Sequence, residues 1–217
     1  MKKIMFNDKY GLTQAVLEGR KTQTRRVLNP TMLFERLETY EGWTKESIAD
    51  WKESCKDRLY KADGEELKKM IDYALEHSPY KVGENVAIAQ KYEDLKKNDE
   101  FLCLCEKNGM PFGRIIYEKG CFNKMFVRAD FMPHHIYITR IRVERLQDIS
   151  NGDCLKEGIW RGDNVGLEGT TYWYHGLVNS SFRTPQKAYA FLIDHISGKG
   201  TWVNNPYVFV YDFELID

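Results

Sequence analysis

Three residues of this chain are of types that can carry nucleophilic and acid–base chemistry: Lys21, Thr24 and Glu157. A threonine hydroxyl is a weak nucleophile until a neighbouring base takes its proton. A lysine can be that base only when desolvation or nearby positive charge lowers its pKa. The stretch "GRKTQTRR", residues 19–26, sets Lys21 and Thr24 among Arg20, Arg25 and Arg26, which can supply such a field. In an ideal strand, residues 21 and 24 face opposite sides, so the pair requires Lys21 to lie in the turn after Gly19. Read only as charge, the same stretch is an exposed basic strand, and both readings stay open. Glu157, near the end of "DISNGDCLKEG", can act as general acid or base, or orient the lysine. A solvated glutamate at a helix end is the plainer alternative.

Other residues offer contacts rather than bond-making. Arg140 and Arg142, two apart on one expected strand, either extend the cationic surface of the octet or form an ordinary solvated sheet face. The segment 158–183 is rich in Gly and aromatics and longer than an ordinary connection. Its Trp160, Tyr172, Trp173, Tyr174 and His175 can form a stacking wall for a base, or pack the segment onto the rest of the fold. The pair His134-His135 has no partner motif and reads as a loop. Five cysteines are an odd number without CxxC spacing, as expected of reduced, mostly buried thiols. Cys103, Cys105 and Cys121 lack any His-containing spacing, so no metal site and no cofactor is expected.

The elements that must position these groups follow from periodicity. "DKYGLTQAVLEG" places Leu12, Ala15 and Val16 at helical spacing with Gly19 just past the end. "RKTQTRRVL" alternates and reads as a strand, so the octet sits where a helix hands over to a strand. Residues 31–79 form a helical insertion with two apolar stripes. One holds Ile48, Trp51, Cys55 and Leu59; the other holds Leu67, Met70, Ile71, Ala74 and Leu75, opened by an Asp63–Glu66 capping pattern. The insertion carries 12 acids against 8 bases, read as solvated faces.

From residue 84 short strands are expected. "ENVAIAQ" is one, and "EFLCLC" with "FGRIIY" flank the hairpin signal Asn108-Gly109. "HIYITRIRVERL" is longer, and its apolar phase shift predicts a bulge or burial on both faces. A short helix over "DISNGDCLKEG" is capped by Ser150 or Asn151. A clear helix starts at Thr184-Pro185 and ends at Gly198, with Ala188, Leu192, His195 and Ile196 inward. The last strand sets Tyr207, Phe209, Tyr211, Phe213 and Leu215 on one face. Together these predict an α+β fold built on a small barrel.

Length and charge set the bounds. A chain of 217 residues fits one domain with an insertion, large enough to bury its own core. No run approaches 18 apolar residues and the N-terminus lacks a signal-like apolar core, so a cytoplasmic protein without a membrane contact is expected. With 32 acids against 32 bases, attraction to a polyanion is not a global property. Any nucleic-acid contact is a local patch, and a small ligand such as a nucleoside is as reasonable a partner.

Five segments in order, "LEGRKTQTRRV", "YKVGENVAI", "IRVERLQDISNGDCLKEGI", "ISGKGTW" and "NPYVFVYDFEL", resemble the ASCH domain proteins. More narrowly, they resemble the longer ASCH proteins common in phages and bacterial genomes. The resemblance runs from about residue 4 to residue 215, so it implies a single ASCH domain over 1–217, with 31–79 as its least familiar part. It implies a PUA-like small β-barrel flanked by helices, with a cleft suited to RNA or a nucleotide. Of the family signature Gly-x-Lys-x-x-Glu-x-Arg, Gly19, Lys21 and Arg26 match, while Thr24 replaces the glutamate. That departure is itself similar to the small bacterial ASCH amidohydrolases of N(4)-acetylcytidine, which carry Lys-x-x-Thr and a glutamate in a later helix. By that resemblance Thr24 attacks the amide carbonyl, Lys21 activates it, and Glu157 handles the proton of the leaving amine. Arg20, Arg25, Arg26, Arg140, Arg142, Trp160 and Trp173 are then the expected nucleotide or RNA contacts. A non-catalytic RNA-binding regulatory module using the same cleft is the alternative.

Overall fold

The computed structural model describes residues 1–34, 44–163, 169–176 and 181–217. The part of the insertion at 35–43, and residues 164–168 and 177–180 of the long aromatic segment, lie outside the described residues. The chain opens with β1 (Lys2–Ile4), α1 (Leu12–Leu17) and β2 (Gln23–Val27). It continues with α2 (Lys45–Lys61), α3 (Gly64–Glu76), β3 (Asn85–Ile88), α4 (Tyr92–Leu95), α5 (Asp99–Lys107) and α6 (Phe112–Ile115). The C-terminal half adds β4 (His135–Arg145), α7 (Asn151–Lys156), β5 (Trp160–Asp163), β6 (Thr170–Trp173), α8 (Pro185–Ser197), α9 (Thr201–Asn204) and β7 (Tyr207–Leu215). The fold is α+β. Among the described residues no helix is long and apolar enough to cross a membrane.

Five strands form one mixed sheet in the order β1-β3-β4-β7-β2, parallel only between β1 and β3. Its edges are β1 and β2, and no ladder among the described residues joins them into a closed barrel. The two edges nevertheless come close, because Arg26 of β2 donates to the carbonyl of Met5, the residue after β1, at 2.5 Å. The long strands β4 and β7 are the backbone of the sheet, and their register shifts between Ile138 and Arg140, the expected bulge. The residues Val208 to Tyr211 are buried in succession, so the first half of β7 is covered on both faces rather than on one.

The main core gathers Ile4, Phe6, Val16, Ile136, Ile138, Phe209, Tyr211 and Phe213 with Leu192 and Ile193 of α8. α8 starts as expected, with Thr184 Oγ1 accepting from the Lys187 amide and Pro185 at the first position. Its inward set differs: His195 is exposed, and Tyr189 and Ile193 are buried. α2 and α3 form the insertion's helices and contribute Cys55, Leu59 and Ala74 to the buried set, while Ile48 stays exposed. Asp63 stands at the cap of α3, but its side chain accepts no hydrogen bond there.

The expected hairpin over 101–117 is a pair of helices. Asn98 accepts from the Phe101 amide, Asp99 and Glu100 sit in the first turn, and Phe101 and Cys105 lie four apart on one buried face. Asn108-Gly109 then ends a helix, with Gly109 at φ +71°, instead of turning a hairpin. These helices close a second apolar cluster with Ala87, Tyr92, Phe131 and Met132. The aromatic segment, read from the sequence as a long connection, contains the two-stranded β5–β6 sheet.

Candidate functional site

The octet is placed by two tight junctions. Gly19 (φ +69°) ends α1, and the amides of both Arg20 and Lys21 donate to the carbonyl of Ala15 at 2.9 Å. Lys21 therefore lies in the turn before β2, as the Lys–Thr pair requires. The Thr22 amide then donates to the carbonyl of Lys156, the last residue of α7, at 2.9 Å. That bond lays the octet against the end of α7, where Ser150 caps the helix by accepting from the Asp153 amide. Gly158 closes the junction at φ +99°, and a Cβ there would meet Leu12 Cδ2 at 3.3 Å and Lys21 Cβ at 3.8 Å.

The consequence is a buried contact between residues 136 apart in sequence. Lys21 Nζ donates to Glu157 Oε2 at 2.5 Å, to the Glu157 carbonyl at 3.0 Å and to the Gln23 carbonyl at 2.7 Å. The two side chains are 1% and 5% exposed. The other carboxylate oxygen, Glu157 Oε1, accepts from Arg25 Nη1 at 3.1 Å. A small cavity of about 40 Å³ lies beside this contact, lined by Lys21, Thr24, Arg26, Glu157, Phe6 and Tyr189 among others. The Thr24 hydroxyl makes no hydrogen bond among the described residues. Lys21, Thr24 and Glu157 thus share one cavity, with Lys21 bonded to Glu157 and not to Thr24.

Burial is the main influence on the lysine. Desolvation pushes the Lys21 pKa below its ordinary value, against the pull of Glu157, and the charges of Arg26 and Arg25 add to the lowering. The field expected from three arginines therefore comes from two and is secondary to burial. Tyr189 is driven well above its ordinary value, first by burial and then by the Glu157 charge, so its phenol stays protonated beside the cavity.

Arg25 belongs to a larger network under the cavity. Its Nη2 donates to Glu144 Oε1 at 2.7 Å and its Nη1 to Gln23 Oε1 at 2.5 Å. Arg142 bridges Glu144, Asp212 and Asp153 at 2.9, 2.8 and 3.1 Å. Gln23 Nε2 donates to Asp212 Oδ1 at 2.5 Å. Burial would raise the Asp153 pKa, but Arg25, Arg142 and Lys156 together hold it below its ordinary value. The cations Lys21, Arg25 and Arg142 meet Glu144, Asp153, Glu157 and Asp212, and Lys156 joins from the rim through Asp153 at 3.5 Å. Arg25 is fully buried in this network, and Arg142 is committed to three carboxylates.

The remaining expected contacts lie elsewhere. Arg20 pairs with Glu18 at 2.6 Å and sits over the Trp160 ring at 3.8 Å. Trp160 is paired across the β5–β6 ladder with Trp173, whose ring also covers Gly162. Neither tryptophan lines the cavity. Tyr174 is buried against Tyr10, with its phenol oxygen unpartnered among the described residues, so it packs instead of facing a ligand. His175 is exposed and its ring lies against Gly11. Arg140 is exposed and makes no ion pair among the described residues.

Sequence reasoning missed Gln23, Glu144, Asp153, Asp212 and Tyr189. Two had a signal: Asp153 is one turn before Glu157 on α7, and Asp212 interrupts the apolar run of β7. In comparisons with family models, curated proteins and solved structures, nothing matches this chain.

Proposed function

We propose that this chain is an ASCH-type, PUA-like cytoplasmic protein that hydrolyses an amide on the exocyclic amine of a modified cytidine, as in N(4)-acetylcytidine. The observation that carries the reading is the buried 2.5 Å contact of Lys21 with Glu157, in a cavity that the unbonded Thr24 hydroxyl also lines. A lysine whose pKa is depressed by burial holds a lone pair at lower pH than a solvated one. In the first half-reaction, neutral Lys21 takes the Thr24 proton while Thr24 Oγ1 bonds to the acyl carbon. The C–N bond breaks, the proton passes through Lys21 and Glu157 to the leaving amine, and Thr24 is left acylated. Water then hydrolyses the ester, returning the proton to Thr24 and releasing the carboxylic acid. Tyr189 lines the same space and offers an O–H donor to the acyl oxygen.

Size supports a division of labour. A space of about 40 Å³ admits a short acyl group or a few waters, not a nucleoside, so the base must lie outside it. The test is incubation with N(4)-acetylcytidine, following cytidine release, for wild type, Lys21→Ala and Thr24→Ala. Release by wild type that falls at least about 100-fold in both variants is expected. Release that survives both substitutions refutes the site assignment.

One observation favours a second reading. All three Lys21 donors are taken by acceptors other than Thr24, an arrangement suited to a structural ion pair in a non-catalytic RNA-binding module. That reading expects no release of cytidine and an RNA affinity that falls steeply with salt. Absent or salt-independent RNA binding eliminates it.

A further inference from the structure

A cleft of about 400 Å³ opens next to the small cavity, and Arg25, Arg26 and Ile196 line both. Its size is that of a small-ligand site, where the inner cavity is too small for one. One wall comes from the helical insertion, through Lys56, Leu59 and Tyr60 of α2. The opposite wall is built by β2, the end of α8, α9 and the start of β7, with Tyr207 facing Tyr60 at a ring distance of 6.0 Å. The Arg145 guanidinium lies over both rings, at 4.4 and 4.8 Å, and fixes the aromatic pair in place.

The charge of the cleft runs against its surroundings. The insertion as a whole is acidic, yet no carboxylate residue lines this space among the described residues. Arg25 is neutralised in its network, which leaves Arg26 and Lys56 as the cations available to a ligand. Arg26 donates only to a backbone carbonyl and meets no carboxylate among the described residues. Lys56 pairs with Glu53 at 2.9 Å, and both side chains are exposed. Aromatic and aliphatic walls with two cations and no acid fit a planar ring carrying an anionic group.

We infer that this cleft holds the base, ribose and phosphate of a pyrimidine nucleoside monophosphate, with the helical insertion serving as its phosphate-side wall. The inference rests on the amidohydrolase reading for the acyl group in the inner cavity, and makes the substrate a nucleotide in preference to a nucleoside. Arg26 marks the junction, since it touches both spaces. Lys56, from the insertion, reads the phosphate.

The experiment uses the deacylated ligands, so it does not depend on turnover. Calorimetric titration of the full chain compares cytidine 5′-monophosphate, cytidine and inorganic phosphate, in wild type, Lys56→Glu and Arg26→Gln. Wild type should bind the monophosphate about tenfold more tightly than cytidine, as expected of charge-assisted phosphate contacts. Lys56→Glu should reduce that ratio at least about threefold, and Arg26→Gln should reduce it as well. Lys56 is solvent-facing, so Lys56→Glu keeps the fold, which its unfolding midpoint verifies. A ratio near one in wild type, or a ratio unchanged in both variants, overturns the inference. Turnover of N(4)-acetylcytidine without any monophosphate preference removes this inference alone. Monophosphate preference without turnover removes only the hydrolase reading.

Discussion

The ion pairs on the helical insertion and those beneath the inner cavity are made of the same side-chain types at similar distances. On α2, Lys61 meets Asp57 at 3.1 Å with the side chains 77% and 57% exposed. Under the cavity, Arg25 reaches Glu144 at 2.7 Å and Glu157 at 3.1 Å with its own side chain fully buried. Water competes with the first pair and screens it; in the second, each charge depends on its partner for the solvation it lost. Distance alone therefore says little about what an ion pair does here. Burial decides whether removing one member is trivial or severe, and whether the pKa of a partner moves enough to matter for chemistry.

The strongest way to break this contrast is Arg25→Met, which keeps the length and apolar bulk of the side chain. It takes from Glu157, Glu144 and Asp153 a shared cation, leaving Glu157 with Lys21 and the other two with Arg142, and of the three only Glu157 is shut away from water. The expected loss is about 3–5 kcal/mol of unfolding free energy, measured by urea denaturation at neutral pH. The deficit should shrink at low pH, where the carboxylates that lost Arg25 take up protons. A loss below about 1 kcal/mol would mean that water already enters the network, and the contrast with α2 would fail.

A smaller effect, with a sign that discriminates more sharply, comes from Lys21. Its folded-state pKa is depressed below 10.5, chiefly by burial. Between that depressed value and 10.5 the unfolded chain binds the proton and the folded chain does not, so stability contributed by this site rises with pH. Below the folded value the cost of burying the charge is present in full. Lys21→Met removes the titration, so the stability of wild type relative to the variant should increase as the pH rises towards 10.5. The comparison with the variant cancels the alkaline titration of Tyr189 and Tyr211. A difference that stays flat shows no depression, and one that falls with pH shows that Glu157 holds the lysine charged. The falling result would also remove the lysine as general base.

These tests bear on residues that the sequence revealed unequally. The turn that holds Lys21 was legible because Gly19 follows a helical stripe and precedes an alternating run, both local signals. Glu157 was only one of two open readings from its residues, since its link to Lys21 depends on the Thr22 amide finding the end of α7, a contact of high sequence separation. The network partners were hidden for a related reason: Glu144 and Arg142 look like any solvated strand charges until β7 and α7 bring Asp212 and Asp153 to them. The failed hairpin at 101–117 has a different cause. Short apolar runs carry little periodicity, and the capping Asn98 with two acids in the first turn outweighed Asn108-Gly109, whose glycine serves equally well to end a helix. The cleft between insertion and sheet had no sequence signal, because its walls come from three stretches far apart in the chain.

The mildest prediction closes the contrast from the exposed side. Lys61→Gln breaks the i,i+4 pair with Asp57 on α2 while keeping a good helix former at that position. Both groups are solvated with or without each other, and holding two long side chains in one geometry costs entropy that offsets the attraction. Unfolding free energy should change by no more than about 0.5 kcal/mol, and the small difference should vanish in about 1 M salt, where the screening length is only about 3 Å. Arg25→Met should keep most of its effect under the same salt, because ions do not enter a buried network. If Lys61→Gln proved as costly as a buried change, α2 would have to be held by its charges and not by Cys55 and Leu59. The insertion would then be an electrostatically docked wall, and salt, more than ligand, would set how firmly it borders the cleft.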